Sequence, residues 1–151
     1  MQISAKADYA VRVMLELAAH GPALVKSNVL IEHQALPRKF VETILVDLRR
    51  ADLVRSHRGA DGGYTLSRAA SAISIGQIVR AIDGPLAEVR GLRPHECEYT
   101  NAAQHLAEVW VAARAALRRV LDETSLAHVL GGRLPGHVRR MAESPEAWLP
   151  R

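Results

Sequence analysis

Residues 36–66 read LPRKFVETILVDLRRADLVRSHRGADGGYTL, and a change of period inside this stretch decides the fold. Phe40, Val41, Ile44, Leu45 and Leu48 recur at three and four, the spacing of one buried face of a helix. Pro37 opens that helix, where its missing N–H removes no hydrogen bond. After Ala51-Asp52 the apolar period falls to two. Residues 53–57 (LVRSH) and 63–67 (GYTLS) then read as strands joined by Arg58-Gly59-Ala60-Asp61-Gly62. Asp61-Gly62-Gly63 is hairpin chemistry, because glycine adopts turn conformations closed to other residues.

Upstream, Ser4 is placed to cap a helix running to about His20, with Ala10, Val13, Met14, Leu17 and Ala18 on one face. Gly21-Pro22 ends it. Lys6 and Arg12 lie off that face and are free to meet a partner. Ser27 reads as the N-cap of a short second helix, 28–34, with Val29, Leu30 and Ile31 as its apolar contacts. Two short helices with a tight joint, followed by a hairpin, form a helix-turn-helix with a β-wing. The helix start (Arg38, Lys39) and the wing (Arg55, His57, Arg58) are basic, which suits a DNA groove and its flanking phosphates.

Downstream, Ser74 and Gln77 have the spacing of a capping box for a fourth helix carrying Ile75, Ile78, Val79 and Ile82, stopped by Asp83-Gly84-Pro85. Residues 86–101 lack a period and read as an irregular loop of the length usually reserved for function. From about Ala102 to Glu123, Leu106, Val109, Trp110, Ala113, Leu117, Val120 and Leu121 form a long apolar stripe. It exceeds what a small winged domain needs to cover itself, so a twofold dimer is expected. Residues 125–130 give a short helix closed by Gly131-Gly132, and the tail from Pro135 holds at most one more, with Trp148 as an anchor.

The expected fold is mainly α with a small β-wing: a winged helix-turn-helix domain over 1–84, a sensor-type loop over 85–101, a dimerisation helix and short helix over 102–134, and a tail over 135–151. The chain has 151 residues, a formal charge of +4 and 48% hydrophobic residues, enough to build a core, with a basic balance that fits an anionic partner. No run approaches the ~18 apolar residues of a membrane span. The charged, patterned N-terminus lacks a signal-peptide layout. No membrane partner and a cytoplasmic location are therefore expected. One cysteine, Cys97, excludes a disulfide framework or a cysteine-only zinc site within the chain.

Three stretches, MQISAKADYAVRVMLELA, LRRADLVRSHRGADGGYTLSR and ISIGQIVRAIDGPLAEVR, resemble the Rrf-type family of bacterial winged-helix transcriptional regulators. Trp110 and LDETSLAHV continue the match, which spans about residues 1–131. The resemblance implies a homodimer bound to partly palindromic promoter DNA, with the third helix in the major groove and a wing arginine in the minor groove. It assigns Pro37, Arg38, Lys39 and Glu42 to the major groove, Arg58 to the minor groove, and Gln2, Ser4 and Lys6 to phosphates. The chemistry agrees: arginine forks onto guanine or enters a narrow minor groove, and a carboxylate accepts from cytosine.

Many relatives hold an iron–sulfur cluster on three cysteines in the loop before the long helix. Those positions fall at about Gly91, Cys97 and Gln104, so one thiolate remains. Asp8 matches a carboxylate ligand of some relatives, and His95, His105 and Glu98 are further conceivable donors. Cluster ligation relies on several thiolates, so no cofactor and no metal are expected, with a cluster as the alternative. Cys97 stands otherwise as an inert surface cysteine or as an oxidation switch.

The function expected is a dimeric DNA-binding regulator, a repressor, without the full cluster set. An iron–sulfur or thiol-redox sensor using Cys97 is the alternative. A protein-interaction winged helix is the alternative of another class, opposed by Arg58 and the basic helix start. An enzyme is not expected: Cys97 with His95 or His105 has no third orienting group, and no phosphate loop or metal signature appears.

Overall fold

The computed structural model describes residues 2–150. Nine helical or strand segments carry the architecture: α1 (Ala5–Ala19), α2 (Ser27–Gln34), α3 (Arg38–Arg50), β1 (Val54–His57), β2 (Gly63–Leu66), α4 (Ile75–Asp83), α5 (Leu106–Glu123), α6 (Leu126–Leu130) and α7 (Gly136–Glu143). No helix among the described residues is long and apolar enough to cross a membrane.

Ser4 caps α1 as its sequence position predicts, accepting from the Ala7 N–H at 3.0 Å. Ala7, Ala10, Val13, Met14 and Leu17 are its buried residues. The two alanines leave room for close neighbours, and α1 lies at the centre, packed on α2, α3, α4 and α6. Val41, Ile44, Leu45 and Leu48 of α3 are buried in the same core with Leu30, Leu53, Ile73, Ile78 and Leu126. Phe40, expected on that stripe, is instead 43% exposed. It lies roughly 90° round the helix from the stripe's centre, and its ring stands edge-on to Tyr9 at 5.6 Å.

The α2–α3 joint turns at Ala35, which is left-handed (φ 50) and lets the Leu36 N–H reach the Ile31 carbonyl at 3.0 Å. Lys26, not Ser27, is the N-cap of α2, and no side chain caps it.

β1 and β2 pair antiparallel with Val54 opposite Leu66 and His57 opposite Gly63. A further bridge on the other edge of β2 comes from ahead of α2: Val25 and Tyr64 exchange N–H···O bonds of 3.0 and 2.8 Å. Two glycines make this possible. A Cβ on Gly63 would lie 2.8 Å from the Val25 carbonyl oxygen, and one on Gly62 would collide with the His57 carbonyl.

The Ser74–Gln77 capping box forms in both directions. Beside it the Ile75 N–H donates to Thr124 O at 2.8 Å and the Leu126 N–H to Ile73 O at 3.0 Å, tying the α5–α6 joint to the segment that enters α4. Residues 86–101 are more structured than an irregular loop, with a Val89–Leu92 bridge and a helical turn at Pro94–Glu96 that packs on α5. A further turn at Asn101–Ala103 delays the start of α5 to Leu106, four residues later than periodicity suggests. Trp148 is 77% exposed and its indole N–H bonds to Ala142 O, which ties the final turn to α7.

Ile44 of α3 is fully buried in the core. Ile44→Ala should lower unfolding stability by roughly 2–5 kcal/mol in denaturant titration; a loss below about 1 kcal/mol would contradict this core assignment.

Candidate nucleic-acid interface

With the stripe of α3 turned inward, its other face must look outward. Arg38, Lys39, Glu42 and Thr43 are all exposed there. Pro37 precedes them in extended conformation, and no side chain caps the first turn. Two cations at a helix N-terminus oppose the helix dipole, a local cost that an approaching anion relieves. Glu42 reaches Arg38 only loosely, at 3.9 Å with both more than 60% exposed. Such a contact contributes little and exchanges readily.

The wing brings a second basic element beside α3. Arg58 sits at the tip, just before Gly59 (φ 111), in a turn closed by the Gly62 N–H on Gly59 O at 3.0 Å. Its side chain is exposed and, like that of Lys39, has no acidic partner among the described residues. Arg49 at the far end of α3 donates to Ser56 Oγ at 3.4 Å, which spans the gap between helix and wing. Arg55, His57 and Arg68 line a cleft of about 600 Å³ on the α1 side of the hairpin. The sequence reading left Arg49 and Arg68 out; the only signal for them was charge, which does not distinguish neighbours of a groove from solvated arginines.

Helix α1 supports this surface through polar clamps rather than presenting free cations. Lys6 Nζ lies 2.6 Å from Asp47 Oδ2, both partly buried, which ties α1 to α3. Arg12 donates to the Gln34 backbone carbonyl at the end of α2 and, at 3.3 Å, to Gln34 Oε1, with its guanidinium over the Tyr9 ring. Lys6 and Arg12, expected to face a partner, already have acceptors on α3 and α2 within their reach. Ser4 is similarly engaged, its N–H and hydroxyl both donating to Asp83. Gln2 is exposed beside an apolar cleft between the end of α4 and α5.

Glu16, only 12% exposed, completes the clamp by accepting from His33 Nδ1 and Gln34 Nε2, each at 2.7 Å. Ligating atoms of Glu16, His20 and His33 fall within 4.8 Å of one another, a proximity these hydrogen bonds already explain. Burial acts to raise the Glu16 pKa, but the hydrogen bonds from His33 and Gln34 and the nearby imidazoles outweigh it, leaving the carboxyl below its ordinary value.

Cys97 is buried, contrary to the surface position expected, because the Pro94–Glu96 turn folds it inward; its Sγ lies 3.6 Å from Arg93 O and 3.9 Å from Val89 O. Asp8 is 61% exposed and 3.8 Å from Arg12.

The chain is similar to known proteins over most of its length. A model of the Rrf2 family, described as iron-dependent transcriptional regulators, matches residues 3–132. The chain belongs to the Rrf2 family. The candidate HTH-type transcriptional regulator Rv1287 of Mycobacterium tuberculosis (strain H37Rv) is 47% identical over 148 residues, 97% of this chain and 92% of that one. The HTH-type transcriptional regulator CymR of Bacillus subtilis is 37% identical over 129 residues, 83% of this chain and 87% of CymR. The solved structure of B. subtilis CymR, described as the global cysteine regulator, matches with a TM-score of 0.74 at 34% identity, covering 87% of this chain and 98% of CymR. IscR of T. potens matches at 0.70 and 30% identity, covering 100% and 93%. This Rrf2-family chain is thus a winged-helix, DNA-binding transcriptional regulator and not an enzyme.

The family description names iron. The donors of this chain do not fit an iron–sulfur cluster: Cys97 is its single cysteine, and Gly91 and Gln104 occupy the other expected ligand positions. The one thiol is also buried under its own turn.

Since folding lowers the Glu16 pKa, its contribution is present at neutral pH and lost as pH falls through the folded-state value, below the usual ~4.3. Thermal melts of wild type and Glu16→Gln should therefore differ near neutrality and converge as the pH falls below the ordinary carboxylate range. A gap that persists or widens in acid would contradict the assignment.

Proposed function

We propose that this Rrf2-family regulator is a homodimeric repressor that reads promoter DNA with the first turn of α3 and the wing. The observation that carries the reading is the pairing of two exposed, weakly engaged basic elements: Arg38 and Lys39 on α3, and Arg58 at the wing tip. Residues 1–84 would form the DNA-binding domain. Pro37 sets the entry of α3, Arg38, Lys39 and Glu42 meet base edges or phosphates in the major groove, and Arg58 enters the minor groove. Gln2, Ser4 and Lys6 serve as flanking phosphate contacts; Ser4 and Lys6 must then share or exchange their present carboxylate partners.

The dimer rests on α5. None of its residues is fully buried. Val109, Ala113, Ala116 and Val120 repeat at intervals of four, three and four along one side, and Val109 is 55% exposed beside Trp110 at 37%. The alanines admit close approach of a second helix, and residues 102–134 would form the dimerising unit. Two copies present two α3 helices to successive half-sites of one promoter, and repression follows from occupancy of that site. Iron–sulfur or thiol-redox sensing finds no support in one buried cysteine.

Fluorescence anisotropy on an operator selected from genomic fragments tests the DNA reading. Arg58→Ala and Lys39→Ala should each weaken binding by roughly 1–3 kcal/mol, and each should lower the salt slope by about one if its contact is to phosphate. Wild-type affinity in both variants over a salt series would reject it. For the dimer, Val109→Glu should shift the sedimentation coefficient from dimer to monomer. An unchanged dimer would place the interface elsewhere.

A further inference from the structure

Away from the wing, four arginines line one cavity. Arg80 on α4, Arg93 in the segment ahead of α5, and Arg114 and Arg118 on α5 line, with Leu86, an open cleft of about 280 Å³. One carboxylate serves this group. Asp122 Oδ1 accepts from Arg80 Nη1 at 2.6 Å, and Oδ2 from Arg118 Nε at 3.3 Å. Asp122 fits there because Gly76 has no side chain, for a Cβ at that position would collide with Asp122 Oδ1. Arg93 and Arg114 have no acidic partner among the described residues.

Arg114 is the telling member. Its Nε is shielded from solvent and makes no hydrogen bond. A buried donor without an acceptor is costly, and more so on a charged group. Arg114 as a whole is half-buried, so its charge is only partly hydrated and Nε itself is not hydrated at all. Four guanidiniums around one carboxylate leave an excess of positive charge that a second anion would balance. Guanidinium presents paired N–H donors whose fork matches carboxylate and phosphate oxygens. The volume is slightly below that of ordinary ligand pockets, which suits a small anionic group.

We propose that this cavity binds a small oxyanion, a metabolite bearing phosphate or carboxylate groups. Arg93 and Arg114 supply the free donors, and Arg80 and Arg118 are held in place by Asp122. A bound anion would bridge α4, the 86–101 segment and α5. Because α4 packs on α1 and α3, the ligand would sit one helix away from the DNA-reading surface. The site shares no residue with that surface, so titration without DNA tests it independently of the proposed function.

The full-length protein is titrated calorimetrically with inorganic phosphate and, separately, citrate, at constant ionic strength maintained with chloride. Saturable binding of at least one, with Kd near or below ~1 mM, is expected. Binding of phosphate alone assigns a phosphate-bearing ligand, and of citrate alone a polycarboxylate. Arg93→Gln and Arg114→Gln should each weaken it about tenfold; Arg139→Gln on α7, which removes an exposed cation elsewhere, should not. Arg93 is exposed in a connecting segment, so its variant remains informative if Arg114→Gln fails to fold. No saturable binding of either anion up to ~10 mM, wild-type affinity in Arg93→Gln, or an equal loss in Arg139→Gln overturns the proposal.

Discussion

The burial of the α3 stripe against α1 is the constraint on which the rest of the molecule depends. Val41, Ile44, Leu45 and Leu48 can reach the core only if α3 takes one rotation about its axis. That rotation alone sends Arg38, Lys39 and Glu42 outward together. Two polar clamps then hold the helix-turn-helix on its platform: Lys6 with Asp47 for α3, and the Arg12–Gln34–Glu16–His33 set for α2. Gln34 is the hinge of the second clamp, since its amide oxygen accepts from Arg12 while its amide nitrogen donates to Glu16. Partly buried polar pairs of this kind specify position more than they add stability.

The wing depends on the same platform. A hairpin of four-residue strands has little independent stability, and here the Val25–Tyr64 rung adds backbone pairing and fastens it to the chain leaving α1. Glycine at 63 is required because another backbone passes within contact distance. On the opposite side, the bonds from Ile75 to Thr124 and from Leu126 to Ile73 sew the end of α5 onto the entry to α4. The long helix therefore joins the winged region at its C-terminal end, while Val109 and Trp110 nearer its start remain open.

The segment between α4 and α5 is where this chain departs from the iron chemistry in its family's description. Its one thiol is turned inward under a helical turn, and its neighbours at the matching positions carry no thiolate. What the segment does contribute is Arg93, facing a cavity already lined by α4 and α5 arginines. A site made of guanidiniums accepts anions by hydrogen bonding and charge, and needs neither metal nor redox change.

Much of this was legible in the residues themselves. The helix and strand order, the caps at Ser4 and Ser74, the hairpin at Asp61-Gly62-Gly63 and the stripe of α5 follow from local rules: side-chain period, hydrogen-bonding caps and glycine's freedom. Other features were beyond such rules because they depend on what lies opposite. Phe40 fits a helical stripe by spacing, yet its position round the helix brings it to Tyr9 at the surface. The acceptors of Lys6 and Arg12 are not legible in the sequence, because Asp47 and Gln34 are 41 and 22 residues away in the chain. Cys97 read as a surface residue until a turn of three residues buried it. The sequence by itself determined which segments form and which residues carry charge. The tertiary structure decided which charges find partners and which, like Arg58 at the wing and Arg114 in its cavity, find no acidic one among the described residues, since pairing depends on distances between segments that no local pattern encodes.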